Sequence, residues 1–258
     1  MTSRDPWKGL RANAVLRSLP PHDALLLGQS LKRVTVLPGD RLTPFQTDLV
    51  YFPETVVVCQ VGRGSHSAVA MIGREGLIGW DRLFQGAEPS GQFFVALTGG
   101  SALVASGSRL RALMLRHSSL TISLMPYLQD FVMQMANTIL TTLHGTLEAR
   151  LCTWLLMMHA RVDGDELRIT HEALGEFLKV RRASVTDSLH VLEGERALRC
   201  TRGRVVVLDP AGLRQRAGPA CIDVGIPADA LSPIAPSELG RSLRSGRARS
   251  APSVAALA

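Results

Sequence analysis

Cysteine is scarce in this chain of 258 residues, and the four that occur stand far apart. Cys59, Cys152, Cys200 and Cys221 are separated by 93, 48 and 21 residues. This spacing excludes a CxxC metal or redox motif, a dense disulfide framework and a cysteine-ligated iron–sulfur cluster. We therefore expect structural cysteines in a reducing compartment, the cytoplasm.

Long apolar runs and catalytic fingerprints are missing as well. No stretch approaches the ~20 uncharged apolar residues that cross a bilayer, and the first seven residues lack the apolar core of a signal peptide. GxSxG, GxxxxGK[ST] and dinucleotide motifs do not occur. His171-Glu-Ala-Leu-Gly175 begins like a zinc-protease helix but has glycine at the second ligand position. We predict a protein that is neither membrane-spanning nor an enzyme, with no cofactor and no metal.

Positive charge is what the chain has in excess. It contains 29 Lys and Arg against 22 Asp and Glu, a net charge of +7. Within residues 179–217, nine basic residues face only four acidic ones. A polyanion is the natural partner of such a cluster, although a solvated charged surface has the same composition. The arrangement of the residues decides between a polyanion-binding surface and a solvated one.

Residues 34–106 have the pattern of short strands. Apolar runs such as Ala68–Ile72 alternate with turns such as Pro38-Gly39 and Gly99-Gly100. This spacing is typical of an antiparallel barrel or jelly roll. Residues 10–31, which precede the strands, read as helical. We predict an α+β protein whose N-terminal β-roll sensor domain covers residues 10–115.

A long helix is predicted next, over residues 116–146, with Pro126 near its start. Apolar residues recur in it at intervals of mostly three or four, as on one helix face. We interpret this stripe as a dimerisation surface, although it could equally pack on the barrel. The residues assigned to it are Leu124, Leu128, Phe131, Met135, Ile139 and Leu143.

Residues 147–217 follow the order of a winged helix-turn-helix. A helix from Glu148 to Val162 precedes a short strand, and Thr170 then caps a helix ending at Leu178. A tight connection leads to a helix over residues 182–194 and then to a hairpin around Arg202-Gly203-Arg204. The last 41 residues, 218–258, contain no aromatic residue and are predicted to be disordered.

In that geometry the start of the second helix enters the major groove of DNA. Arg182 has the fork that reads guanine O6 and N7, whereas Ala183 offers only a methyl contact. Helix starts and basic wing tips commonly meet phosphates. The predicted DNA-binding residues are Thr170, His171, Arg181, Arg182, Ser184, Thr186, Arg202 and Arg204.

At this point the chain resembles the Crp/Fnr family of bacterial transcription regulators. The likeness spans about residues 10–217 and is most specific at 150–208, in Arg150-Leu-Cys-Thr-Trp, Leu167–Leu178 and Val180–Leu189. Leu37-Pro-Gly-Asp40 and Gly76-Leu-Ile-Gly79 are similar to glycine turns of the family's cyclic-nucleotide-binding jelly roll. The resemblance implies a homodimer on an inverted-repeat operator, with RNA polymerase as a further partner. It also implies guanine reading by Arg182 and backbone contacts by Arg181 and Ser184.

The sensor domain departs from the family pattern for cyclic AMP. Gly79-Trp80-Asp81 replaces the ribose-binding Gly-Glu pair, and Pro89–Phe94 lacks the arginine that holds the cyclic phosphate. We therefore expect an unidentified small-molecule effector or a constitutive regulator. The alternative from another class is a small-molecule-binding or cupin-like metal enzyme with a basic accessory domain. A metal enzyme needs ligand histidines, and residues 34–106 hold only His66.

Overall fold

The computed structural model describes residues 12–62, 68–84 and 93–218. Its nine described helices are α1 Ala14–Arg17, α2 Pro21–Gly28, α3 Pro44–Thr47, α4 Gly107–Arg116, α5 Ser118–His144, α6 Leu147–His159, α7 His171–Leu178, α8 Arg182–Gly194 and α9 Pro210–Ala217. Its ten described strands are β1 Lys32–Val36, β2 Arg41–Leu42, β3 Leu49–Pro53, β4 Val58–Val61, β5 Ala68–Ile72, β6 Phe93–Ala96, β7 Gly100–Ser106, β8 Glu166–Leu167, β9 Leu198–Thr201 and β10 Arg204–Val207. Helices and antiparallel sheets together confirm the predicted α+β class. His66, Cys221 and all but Gly218 of the predicted tail lie outside the described residues.

Two antiparallel sheets enclose the N-terminal core. One has the order β1-β7-β3, and the other has the order β2-β6-β4-β5. Val50 and Phe52 of β3 and Val58 of β4 are fully buried in this core. The predicted strand at Ala68–Ile72 is confirmed, and the other predicted runs overlap β3, β4, β6 and β7.

The helical segment after the barrel breaks at His117, where α4 ends and α5 begins. Within α5, Leu124 and Phe131 are buried with Tyr127 in the barrel core of the same chain. Their assignment to a dimerisation surface was therefore wrong, because side chains enclosed by their own domain are not available to a partner.

The other four residues assigned to the dimerisation surface fall into two groups. Leu128 and Met135 are partly buried against the same barrel core. Ile139 and Leu143 are exposed, as are Met125 and Val132 on the same side of the helix. α5 thus has one apolar face in the barrel and a second one in solvent.

A buried ion pair joins the barrel to the C-terminal domain. Arg161 follows α6, and its Nε lies 2.7 Å from Oε1 of Glu75, which follows β5. Both side chains are at most one-tenth exposed, and Glu75 Oε1 also accepts from the amide of Gly73 at 3.0 Å. Val57 and Met71, on the outer side of the barrel, extend the hydrophobic core of the C-terminal domain.

The C-terminal domain packs helices α6 to α9 around a sheet of order β8-β10-β9. Val185, Leu189 and Leu192 supply the buried side of α8. α9, which the sequence reading missed, adds the buried Leu213. Among the helices in the described ranges, none combines the length and apolar character needed to cross a bilayer.

Candidate nucleic-acid interface

Local geometry fixes the turn between α7 and α8. The Thr170 hydroxyl caps α7 by accepting the amide of Ala173 at 3.1 Å. Lys179 ends α7 in a left-handed conformation, with φ of 54°. Gly175 lies so close to the turn that a Cβ there would be 2.9 Å from the carbonyl oxygen of Val180. The two helices are therefore held close together at the turn.

The start of α8 presents two cations to solvent. Arg181 is the N-cap residue and Arg182 the first helical residue, and both are exposed. Ser184 is half-buried. No side-chain hydrogen bond from Arg181 closes this helix end, so its first amides remain available to an anion.

Two further residues on the exposed side of α8 were not predicted from the sequence. Asp187 and His190 lie four and seven positions after Ala183, and all three are exposed. A period of 3.6 residues puts them on one helix face. The signal was present in the sequence, since the buried positions Val185 and Leu189 define the opposite face.

Thr186 and His171 bind each other. The Thr186 hydroxyl donates to the carbonyl of Arg182 at 3.0 Å and lies 2.9 Å from Nδ1 of His171. Since that hydroxyl has one proton, Nδ1 of His171 donates to it, and Nε2 is left for solvent or a ligand. Burial, followed by the charges of Arg182 and His190, lowers the pKa of His171, against a smaller opposing effect of Glu193.

The wing is a tight hairpin. Thr201 and Arg204 pair across a two-residue turn in which Gly203 has φ of 71°. Arg202 is exposed at the tip. Nη1 of Arg204 lies 3.3 Å from Oε2 of Glu166 on β8, so this cation is partly neutralised within the domain.

A recess of about 480 Å³ lies between the helix starts and the wing. It brings four of the eight predicted DNA-binding residues together, Thr170, His171, Arg182 and Arg202, and adds Glu172 and Cys200. Burial, together with Glu193, raises the pKa of the Cys200 thiol to about 11, which keeps it protonated and unreactive at neutral pH.

Arg82, which follows Gly79-Trp80-Asp81 in the N-terminal domain, is held by contacts within that domain. Arg82 is only 16% exposed, and its guanidinium lies 3.1 Å from the carboxylate of Asp81. Its carbonyl accepts from Arg111 at 2.9 Å. Pro89 to Gln92 lie outside the described residues.

Comparison with known proteins agrees with this geometry. Residues 149–216 match the model of the Crp-like helix-turn-helix domain. No curated protein matches the chain.

Solved structures share the fold at low sequence identity. A putative regulator of the Crp/Fnr family from Eubacterium rectale is 13% identical with a TM-score of 0.62, covering 80% of this chain and 98% of its own. A Crp/Fnr-family regulator from Thermus thermophilus is 19% identical with a TM-score of 0.59, covering 72% and 98%. FixK2 from Bradyrhizobium japonicum is 15% identical with a TM-score of 0.60, covering 72% and 96%. The chain therefore shares its fold with these Crp/Fnr-family regulators, and its residues 149–216 form a Crp-like helix-turn-helix domain.

Proposed function

We propose that the chain acts as a homodimer that binds an inverted-repeat operator in double-stranded DNA and regulates transcription there. The observation that carries this proposal is the recess between Arg182, His171 and Arg202, which combines a helix start, a basic wing and an exposed recognition helix. A function on DNA places the protein in the bacterial cytoplasm.

Phosphate contacts position the domain in this proposal. The amides at the start of α8, with Arg181 beside them, bind one phosphate, and Arg202 at the wing tip binds the flanking backbone. Thr170 and His171 line the recess between these two points. Arg204 contributes less than Arg202, because Glu166 already neutralises part of its charge.

Base contacts come from the exposed face of α8. Arg182 binds guanine through O6 and N7, and Ser184 contacts the backbone beside it. Ala183 lacks a hydrogen-bonding group, so the carboxylate of Asp187, one turn later, is the acceptor for a cytosine or adenine amino group. Thr186 orients His171 instead of reading a base.

The dimer forms through the solvent-facing side of α5. Residues on this side follow alternating steps of three and four, the heptad spacing of a coiled-coil seam. All are exposed except the half-buried Ala136. We call them the α5 seam: Ile122, Met125, Gln129, Val132, Ala136, Ile139 and Leu143.

The function is tested by selecting random double-stranded DNA with the purified chain, without added ligand and then with cyclic AMP or a metabolite extract. We expect an inverted repeat with half-sites about one helical turn, ~34 Å, apart. Enrichment without ligand identifies a constitutive regulator, and enrichment only with the extract identifies an effector-dependent one. No enrichment under any of these conditions contradicts the proposal.

Residue roles are tested on the selected operator. Arg182→Ala should cost ~1–3 kcal/mol and relax one base position, whereas Arg202→Ala should weaken all sequences alike and flatten the salt dependence. Arg116→Ala, in α4, removes the same charge from an exposed position in another domain and is the matched control. Equal losses on operator and random DNA in Arg182→Ala refute the base contact.

RNA polymerase is a further proposed partner, on the strength of the resemblance. Its test is a transcription assay with purified polymerase on a promoter that carries the selected operator. If the bound regulator changes neither the binding of polymerase to the promoter nor the amount of transcript, this part of the proposal is contradicted.

A further inference from the structure

Three potential metal ligands from distant parts of the chain converge where α2 meets the start of α5. His22 and Asp23 lie in the first turn of α2, and His117 lies in the break between α4 and α5. One ligand atom from each, two imidazole nitrogens and a carboxylate oxygen, lie within 4.8 Å of one another. The two histidines are 95 residues apart in sequence.

The carboxylate is built into the fold. Asp23 is only 2% exposed, and its Oδ2 accepts the hydroxyl of Ser119 at 2.5 Å. Ser119 therefore fixes the orientation of this carboxylate. Ligand carboxylates and imidazoles in metal sites are typically oriented by such second hydrogen bonds.

The histidines lie on the solvent side of that carboxylate. Their ring centroids are 5.5 Å apart at an interplanar angle of 59°, so the rings do not stack. His22 is exposed and His117 is half-buried, which gives an ion a path from solvent. This placement differs from a closed core histidine, whose nitrogens are satisfied within the protein.

The distances are close to those of a metal centre. Three atoms at the largest separation, 4.8 Å, would each lie about 2.8 Å from their centre, about 0.7 Å farther than a zinc–nitrogen bond. Rotation of the two accessible imidazoles closes a gap of this size. Two neutral imidazoles and one carboxylate give three protein ligands and leave one position for water.

We propose that His22, Asp23 and His117 bind a divalent first-row transition metal ion of the Zn²⁺ type, which ties α2 to the start of α5. Imidazole nitrogen favours zinc, cobalt and nickel, whereas Mg²⁺ and Ca²⁺ prefer all-oxygen sites. The sequence reading predicted no metal, because neither histidine lies in a ligand motif.

The test uses the untagged full chain and Co²⁺ as a spectroscopic probe for the site. We expect one Co²⁺ per chain with visible absorption, displaced by Zn²⁺ but not by millimolar Mg²⁺. His22→Ala and His117→Ala should each weaken binding by about 100-fold or more, and Asp23→Asn should weaken it about tenfold or more. His144→Ala, at the exposed far end of α5, is the matched control and should bind within about twofold of the wild type.

A thermal melt separates loss of the site from loss of the fold. Saturating Zn²⁺ should raise the Tm of the wild type and of His144→Ala, but not that of folded His117→Ala. The proposal is overturned if the wild type binds no Co²⁺ at millimolar concentration, or if the His22→Ala/His117→Ala double variant retains the same site. Neither result depends on DNA, so failure here is distinguishable from failure of the proposed function.

Discussion

The α5 seam predicts that Ile139→Ala weakens the dimer without unfolding the chain. Ile139 is 54% exposed, so about half of its side chain is left to bury against a partner. Complete burial of such a side chain contributes ~1.5–3 kcal/mol, so the remaining half contributes about 1 kcal/mol per chain. A symmetric dimer loses two copies, about 2 kcal/mol, which raises its dissociation constant about 30-fold.

Sedimentation equilibrium over a dilution series measures this constant. Met133→Ala is the matched control, because Met133 is 51% exposed on the same helix but lies roughly 120° around it from Ile139. The control should dimerise like the wild type. Equal weakening by both substitutions, or by neither, would refute the assignment of the seam. Operator affinity should follow the dimer constant, since each half-site is bound by one chain.

Three other predictions concern the turn, the domain junction and the recess. Gly175→Ala should lower the free energy of unfolding by about 1–3 kcal/mol, because the added Cβ clashes with the turn. Gly194→Ala adds a Cβ in open space and should raise the free energy of unfolding by about 0.5–1 kcal/mol. Urea unfolding of both variants measures this difference, and similar effects of the two substitutions would contradict the prediction. Arg161→Met should cost about 3–5 kcal/mol by leaving Glu75 buried without its partner, and Arg161→Met/Glu75→Leu should recover most of this loss in the same assay. The pKa of His171 is lowered in the free protein, and a neighbouring DNA phosphate should raise it. Operator binding should then take up a proton, so the affinity for the operator should rise as pH falls from 8 to 6 at fixed salt. A His171→Gln variant with the same pH dependence would contradict this prediction.

Local patterns were enough to predict the elements that carry the proposed DNA-binding site. The helix over residues 182–194 and the turn at Arg202-Gly203 were predicted because caps, glycine turns and apolar periodicity act over a few residues. The same reasoning explains the two missed residues on α8. The helical period places Asp187 and His190 on the exposed face of α8, but the residues predicted on this helix were limited to its first turn.

Long-range contacts account for what the sequence did not predict. α5 is apolar on two sides, and periodicity alone does not tell which side the barrel takes, so Leu124 and Phe131 were placed on the wrong one. The pairing of Arg204 with Glu166 and the approach of His22 to His117 depend on how the chain folds back over tens of residues. Such contacts leave no local signature.

The two faces of α5 make it a transmitting element as well as a support. Tyr127 and Phe131 anchor one face in the barrel, and the hydroxyl of Tyr127 donates to the carbonyl of Leu77 at 2.7 Å. Val132 and Ile139 on the other face move with the same rigid backbone. With side chains about 5 Å from the helix axis, a 20° rotation that reseats the anchored rings displaces the outer residues by about 2 Å. In the proposed dimer, any event that repacks the barrel therefore changes the geometry at which the two copies, and their recognition helices, meet.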